Sequence, residues 1–417
     1  MKIAAAMLAA WLAASALVQA APPAPPSPPS PTPQPSPRPT AGGLGHLRAD
    51  RIRYETREQV MIAIGNVVLT VDDMEIRTDL LRWEPGPQIV TATGQVTVRR
   101  GGMHLTAPNL RYEVQTETAD AFGGAVLVQD GATVRAPQIR FELKEDVAVA
   151  TGGVEVLQEG TTVLAPSLRY LGRTGEVTAD GGVTVTQPGS RLTGRRLNAN
   201  LKARRAEVSE EATLIRSPGS PAGRTDRPAG ALAKEETIVT AARIAFRWDV
   251  NEAEANTNVV IRQRDKTAWA DKATYSEKAD QMVLIGRVIL EQQSGEWLTR
   301  EGVVPTPRDP SARDALASFT RLECRRLTMS LREGDLVAEG PLNVTQKNRS
   351  ATGDRATYTE ADRRLVVTGN VRILEADGRR LQADRAVISL ADETFEAEGN
   401  VQTEFTMRRA PTPTPRP

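Results

Sequence analysis

The chain is short of the residues that catalysis and covalent cross-linking draw on. Its 417 residues include 1 cysteine and 2 histidines, and aromatics make up only 4%. A lone cysteine excludes an internal disulfide framework, so folded parts must be held by strand pairing and burial. His46 and His104 stand apart and make no metal-binding pair, and the sequence carries no nucleophile with its base and no phosphate loop. Carboxylates such as Asp50 and Asp79 recur at strand starts, not as a matched catalytic pair. The expectation is a protein that is not an enzyme and uses neither metal nor cofactor. Excess charge of one sign is lacking too. Lys and Arg number 53 against 52 Asp and Glu, and a net charge of +1 makes no case for a nucleic-acid partner. Beyond residue 20 no run approaches the roughly 18 apolar residues of a spanning helix.

What is present begins with "MKIAAAMLAAWLAASALVQAA", a basic start, an apolar run and small residues placed for cleavage after Ala20. Residues 1–20 are expected to be an export signal, leaving a soluble protein outside the cytoplasm. The Pro-rich stretch 21–45 reads as an extended spacer, too poor in apolar side chains to pack. A second break, 216–235, has the Pro, Gly and Ser content of a linker, and 408–417 reads as a disordered tail. Two folded arms remain, 46–215 and 236–407, the second carrying an insertion at 291–320.

Within the arms the chain repeats itself. The motif small-x-Gly-x-apolar-x-apolar places Gly65, Gly94, Gly123, Gly152 and Gly181 twenty-nine residues apart, and the period returns at Gly286, Gly340, Gly369 and Gly399. About eleven units can be counted, the sixth ("LTGRRLNANLKARRAEVSEEATLI") degenerate. Two places before the glycine stand Ala63, Ala92, Ala121, Ala150 and Ala179; after it come Val96 and Val98, Val154 and Val156, Val183 and Val185. That is period two, a strand with one apolar face. A second strand in each unit ends in Ile52 and Tyr54, Leu81 and Trp83, Leu110 and Tyr112, Ile139 and Phe141, or Leu168 and Tyr170. Its parity changes at an Ala-Pro step such as Ala165–Pro166, where a bulge would return the apolar face to the core. Two strands cannot bury an apolar face alone, so stacked units must continue one core.

These sixteen valines, leucines, isoleucines and aromatics suit an ordinary sandwich core as well as an apolar trough. Beside the aromatics runs a column of arginines, Arg53, Arg82, Arg111, Arg140 and Arg169. It reads either as a solvated face paired with acidic neighbours or as contacts to phosphate, which the guanidinium fork suits. Cys324 takes a place that alanine holds in other units and reads as a small core residue.

The segments "ADRIRY…AIGNVVL", "TDLLRW…ATGQVTV", "APNLRY…AFGGAVLV" and "GDRATY…VTGNVRI" resemble the organic-solvent-tolerance (OstA-like) repeat of lipopolysaccharide-transport periplasmic bridge proteins. The resemblance covers nearly all of 46–407. It implies an all-β fold, an elongated half-open antiparallel β-jellyroll, and a location in the periplasm. It also implies a role in shielding lipid A acyl chains in an apolar groove lined by the sixteen residues, with the arginines as headgroup contacts. The implied partners are lipopolysaccharide or another anionic envelope glycolipid, and other β-jellyroll transport proteins or a second copy joined by edge strands. Unlike the short bridge protein, this chain is long, has a Pro-rich leader and carries the insertion. Without lipid, the same repeat would serve as a structural envelope filament or β-helical scaffold or adhesin.

Overall fold

The computed structural model describes residues 45–129, 131–217, 235–276, 278–294, 317–330, 333–347, 349–362, 364–375, 378–389 and 394–404. The export signal, the spacer up to residue 44, residues 218–234 of the linker, residues 295–316 of the insertion and the tail lie outside the described residues. All regular structure among the described residues is β-strand. These residues form two compact units. One holds those up to Ala212 together with Arg247–Asp249; the other holds Thr213–Phe246 and those from Val250 onward.

The first unit opens with β1 (His46–Arg48), β2 (Arg51–Glu55) and β3 (Val60–Val71), followed by β4 (Met74–Glu84), β5 (Ile89–Arg100), β6 (Met103–Glu113) and β7 (Thr118–Gln129). It continues through β8 (Ala132–Glu142), β9 (Val147–Gln158), β10 (Thr161–Leu171), β11 (Glu176–Gln187) and β12 (Ser190–Asn200). From β3 to β12 each strand pairs antiparallel with the next, joined by short turns. Short connections leave no room for a parallel crossover, so hairpin follows hairpin.

A single irregularity, repeated in every pair, shapes the unit. Between β7 and β8, Ala121 pairs with Ile139 and Phe122 with Gln138, but the next pair is Ala125 with Ala136. Gly123 and Gly124 thus oppose Pro137 alone, two residues against one, which is a β-bulge. The glycines take φ of 92° and 105°, a region closed to most side chains, and proline suits the position because it has no N–H to lose from the ladder. The inward face of β7 keeps its parity through Ala119, Ala121, Ala125 and Leu127. That of β8 switches at Pro137, from Val134 and Ala136 to Ile139 and Phe141, as the Ala-Pro step implies. The degenerate sixth unit makes the same shape without glycine: in β13 (Arg205–Arg216), Glu210 and Glu211 take φ of 61° and 67°.

The bulges fold the strands over. Burial, with Glu117 and Asp72 adding to it and Arg100 opposing it, raises the Tyr112 phenol above its ordinary pKa. Both halves of the strands share one core. Ala92, Leu110, Ala121 and Ile139 from before the bulge line pack with Val96, Val98, Leu105 and Leu127 from beyond it. This is the jellyroll of the sequence analysis.

The second unit repeats the pattern in β14 (Thr237–Arg247), β15 (Glu252–Gln263), β16 (Lys266–Ser276), β17 (Gln281–Gln292), β18 (Thr320–Ser330) and β19 (Leu336–Gln346). It ends with β20 (Arg349–Thr359), β21 (Arg364–Leu374), β22 (Arg380–Ser389), β23 (Thr394–Glu398) and β24 (Gln402–Glu404). From β15 to β22 the pairing is again antiparallel between neighbours. Leu284, Leu322, Leu327, Met329 and Leu336 are fully buried in its core, and Cys324 is buried among them as expected. The outermost strand of each unit is split by the same bulge: β1 and β2 both pair with β3, and β23 and β24 both pair with β22.

Candidate functional site: the apolar interior and its rims

The residues picked from the sequence fall along the interior of the first unit with graded exposure. Leu81, Val96, Val98, Leu110, Ile139, Phe141, Val154 and Val183 are buried. Trp83, Tyr112, Val156, Leu168, Tyr170 and Val185 are half-buried. Ile52 and Tyr54, on the outermost strand, are exposed by 50% and 54%. The gradient has a direction. In β4 to β8 the first inward residue past the Pro or Asp of the bulge is sealed, as Leu81, Leu110 and Ile139 are, each at 1–2%. In β10 its equivalent, Leu168, is only partly covered. Farther from the bulge line, Val98 is buried, whereas Val156 and Val185 are not. The interior is therefore more closely filled near the bulge line over β4 to β8 than over β9 to β11, while toward the rims Trp83, Tyr112 and Val134 are half-buried as Tyr170 and Val185 are.

The arginine column lies on the other face. In β6 Leu110 and Tyr112 point inward, so Arg111 between them points out, and the same alternation holds for Arg53, Arg82, Arg140 and Arg169. Four of the five carry carboxylate partners: Arg53 with Glu55, Arg82 with Glu84 at 2.9 Å, Arg111 with Glu113 at 2.8 Å and Arg140 with Asp120 at 3.0 Å.

Sequence reasoning passed over two columns at the rims. Six residues after the repeat glycine, or its counterpart Thr257, stand Gln129, Gln158, Gln187, Gln263, Gln292 and Gln346, at the inward ends of their strands. In the second unit these glutamines are buried, at 5%, 1% and 2% exposure. Each reaches the strand before it or the adjoining loop: Gln263 Nε2 donates to Thr237 Oγ1 at 2.7 Å, Gln346 Nε2 to Thr320 Oγ1 at 3.0 Å, and Gln292 Nε2 to the Ser294 carbonyl at 2.8 Å. Gln187 makes the same bond to Thr161 in the first unit, at 3.1 Å. The amide N–H groups thus bridge neighbouring strands along the rim. Lys266, 4% exposed, joins this row with Glu235 3.7 Å away; burial lowers its pKa, and Glu235 and Asp265 oppose the shift. On the opposite rim of the first unit, Lys144, Arg173 and Lys202 occupy one place in three successive turns. A count of charge at period twenty-nine in the turns finds them; attention to strand faces alone does not.

The second unit has a cleft of its own, of about 650 Å³ including its open mouth. Val344, Ala351, Val371 and Ile373 line it from one half of the strands and Leu365, Val367, Ala386 and Ile388 from the other, while Gln346, Arg349 and Glu375 stand at the edge. Among the described residues no group of three or more His, Cys, Asp or Glu could hold a metal ion. No helix there is long and apolar enough to cross a membrane.

Comparison with known families settles the kinship. The family described as "LptA/(LptD N-terminal domain) LPS transport protein" matches residues 46–147 and 162–300, more than half of the chain. The chain belongs to this family. A second family, "Lipopolysaccharide-assembly, LptC-related", matches residues 255–373. Among solved structures the chain is similar to LptH of Pseudomonas aeruginosa, described as the LptA homologous periplasmic component of the conserved lipopolysaccharide transport device. Identity is 15%, over 26% of this chain and 82% of that one, with a TM-score of 0.25. The WD40 domain of SCAP from fission yeast aligns over 75% of this chain and 95% of its own, at 7% identity and a TM-score of 0.11. No curated protein matches the chain in sequence. Membership in the LptA/LptD family accords with a repeat that builds an apolar interior within each unit.

Proposed function

We propose that this chain is a periplasmic bridge or carrier that shields the acyl chains of lipopolysaccharide in its apolar interior on the way to the outer membrane. The observation that carries the reading is the opening of the first unit over β9 to β11, where Val156, Leu168, Tyr170 and Val185 face inward yet remain partly uncovered. Hiding a dodecyl chain from water is worth on the order of 10 kcal/mol at about 0.8 per methylene. A half-covered apolar strip backed by a closed core offers that burial without unfolding anything. Kinship with LPS transport proteins supports lipopolysaccharide as the cargo, and the outermost strands of the two units offer backbone edges to which another jellyroll or a second copy can add a strand.

The test places a photo-crosslinking residue at Leu168 or Val185, and separately at Thr184, which points to the other face. Capture of glycolipid at the first two and not at Thr184 is expected. Equal capture at Val185 and Thr184, or none anywhere, would overturn the reading and favour a scaffold without cargo.

A further inference from the structure

We infer that the turns carrying Lys144, Arg173 and Lys202 form a phosphate-binding rim for the headgroup of the lipid whose chains the interior holds. The inference rests on the proposed function and names the part of the site that would recognise the cargo. These residues sit one repeat apart, in the turns that follow β8, β10 and β12. Alternate strands are about 9.6 Å apart at one strand spacing of about 4.8 Å, so the three cations form a row along the mouth. The turns stack: an Arg173 guanidinium N–H donates to the Lys144 carbonyl, and Lys202 Nζ donates to the Arg173 carbonyl at 2.6 Å. These bonds tie the Arg173 and Lys202 cationic groups to the neighbouring turns through one donor each, and all three side chains remain exposed, with further N–H donors open to an anion.

The row has the right neighbours for an amphiphile. Phe141 and Tyr170 stand three residues before Lys144 and Arg173, inward, at the lip of the open stretch. An acyl chain beside Leu168 and Val185 would bring its headgroup to this lip. Charge changes along the row: Glu145 and Asp146 follow Lys144, and the Asp146 carboxylate packs against Gly172 beside Arg173, whereas the turn at 201–204 holds Lys202 and Arg204. None of Lys144, Arg173 and Lys202 has a carboxylate partner among the described residues, in contrast to the outer arginine column, which is largely neutralised and faces away from the interior. Ammonium and guanidinium groups without a carboxylate, held over an apolar trough, suit a phosphate monoester or diester.

The experiment uses the full chain and two probes, lipid A with its phosphates and the same lipid with the phosphates removed. Replacing Lys144, Arg173 and Lys202 together by Gln should weaken binding of the phosphorylated lipid roughly ten- to a hundredfold, given three partly exposed charge contacts. Binding of the dephosphorylated lipid should not change, and Arg173→Lys alone should keep most of the affinity. Replacing Arg53, Arg111 and Arg169 by Gln should change neither. Equal weakening for both lipids would mark the row as structural and overturn the proposal. So would unchanged binding of the phosphorylated lipid, while leaving the lipid-carrier reading intact. A wild-type chain that bound neither lipid would overturn the carrier reading itself.

Discussion

The bulge line makes a sharp prediction at two adjacent glycines. Gly152 and Gly153 take φ of 90° and 101°, so alanine at either meets the same backbone penalty of about 1–2 kcal/mol, offset by roughly 0.5–1 from the lost freedom of the unfolded chain. Their surroundings differ. A Cβ at Gly153 would meet nothing within 4 Å, whereas one at Gly152 would lie 2.9 Å and 3.0 Å from ring carbons of Pro137. A proline ring on the opposing strand cannot swing aside, so the strands must part there, at a further cost of about 1–3 kcal/mol. We expect Gly153→Ala to cost about 1 kcal/mol and Gly152→Ala about 2–4. In urea, at an m-value near 2 kcal/mol per molar for a unit of this size, that difference moves the midpoint of the first unit's transition by about 1 M. Adding Pro137→Ala to Gly152→Ala should recover most of the excess, a coupling that a double-mutant cycle isolates. Equal midpoints for the two glycine variants, or no recovery on removing the proline, would show that close approach across the bulge does not hold the fold line.

Two further outcomes are expected. Burial, with a backbone bond from Arg326 opposing it, pushes the Cys324 thiol up to about 12, so at pH 8 it should resist alkylation in the folded protein and react once unfolded. Because the folded pKa is the higher one, stability should fall as pH rises from about 8.5 toward 12; fast labelling under native conditions at pH 8 would refute the burial. Removing residues 383–405 takes away β23, β24 and most of β22, and should abolish joining to a partner through that edge while the first unit stays folded. Normal assembly of the truncated protein in crosslinking or scattering measurements would rule that edge out as the docking surface.

Much was legible in the residues themselves because a strand's side chains alternate with a period that sequence cannot hide. The inward columns, the parity switch at Ala165–Pro166, the antiparallel hairpins and the small core place of Cys324 all follow from two-residue alternation and from proline's missing donor. The repeat alone determined that the chain would build one kind of element again and again.

Tertiary structure decided what alternation cannot encode. That Gly123 and Gly124 oppose Pro137 two against one is a matter of register between strands, and it is this that lets the two halves of the strands close on one core. Exposure along the interior is collective: Leu110 and Leu168 hold equivalent places in the repeat, yet one is sealed and the other partly open, because coverage depends on the facing half-sheet and not on the residue. For the same reason the arginine column and the lysines and arginine of the turns look alike as sequence. Only the folded sheet separates a face turned away from the interior from a rim that stands over it.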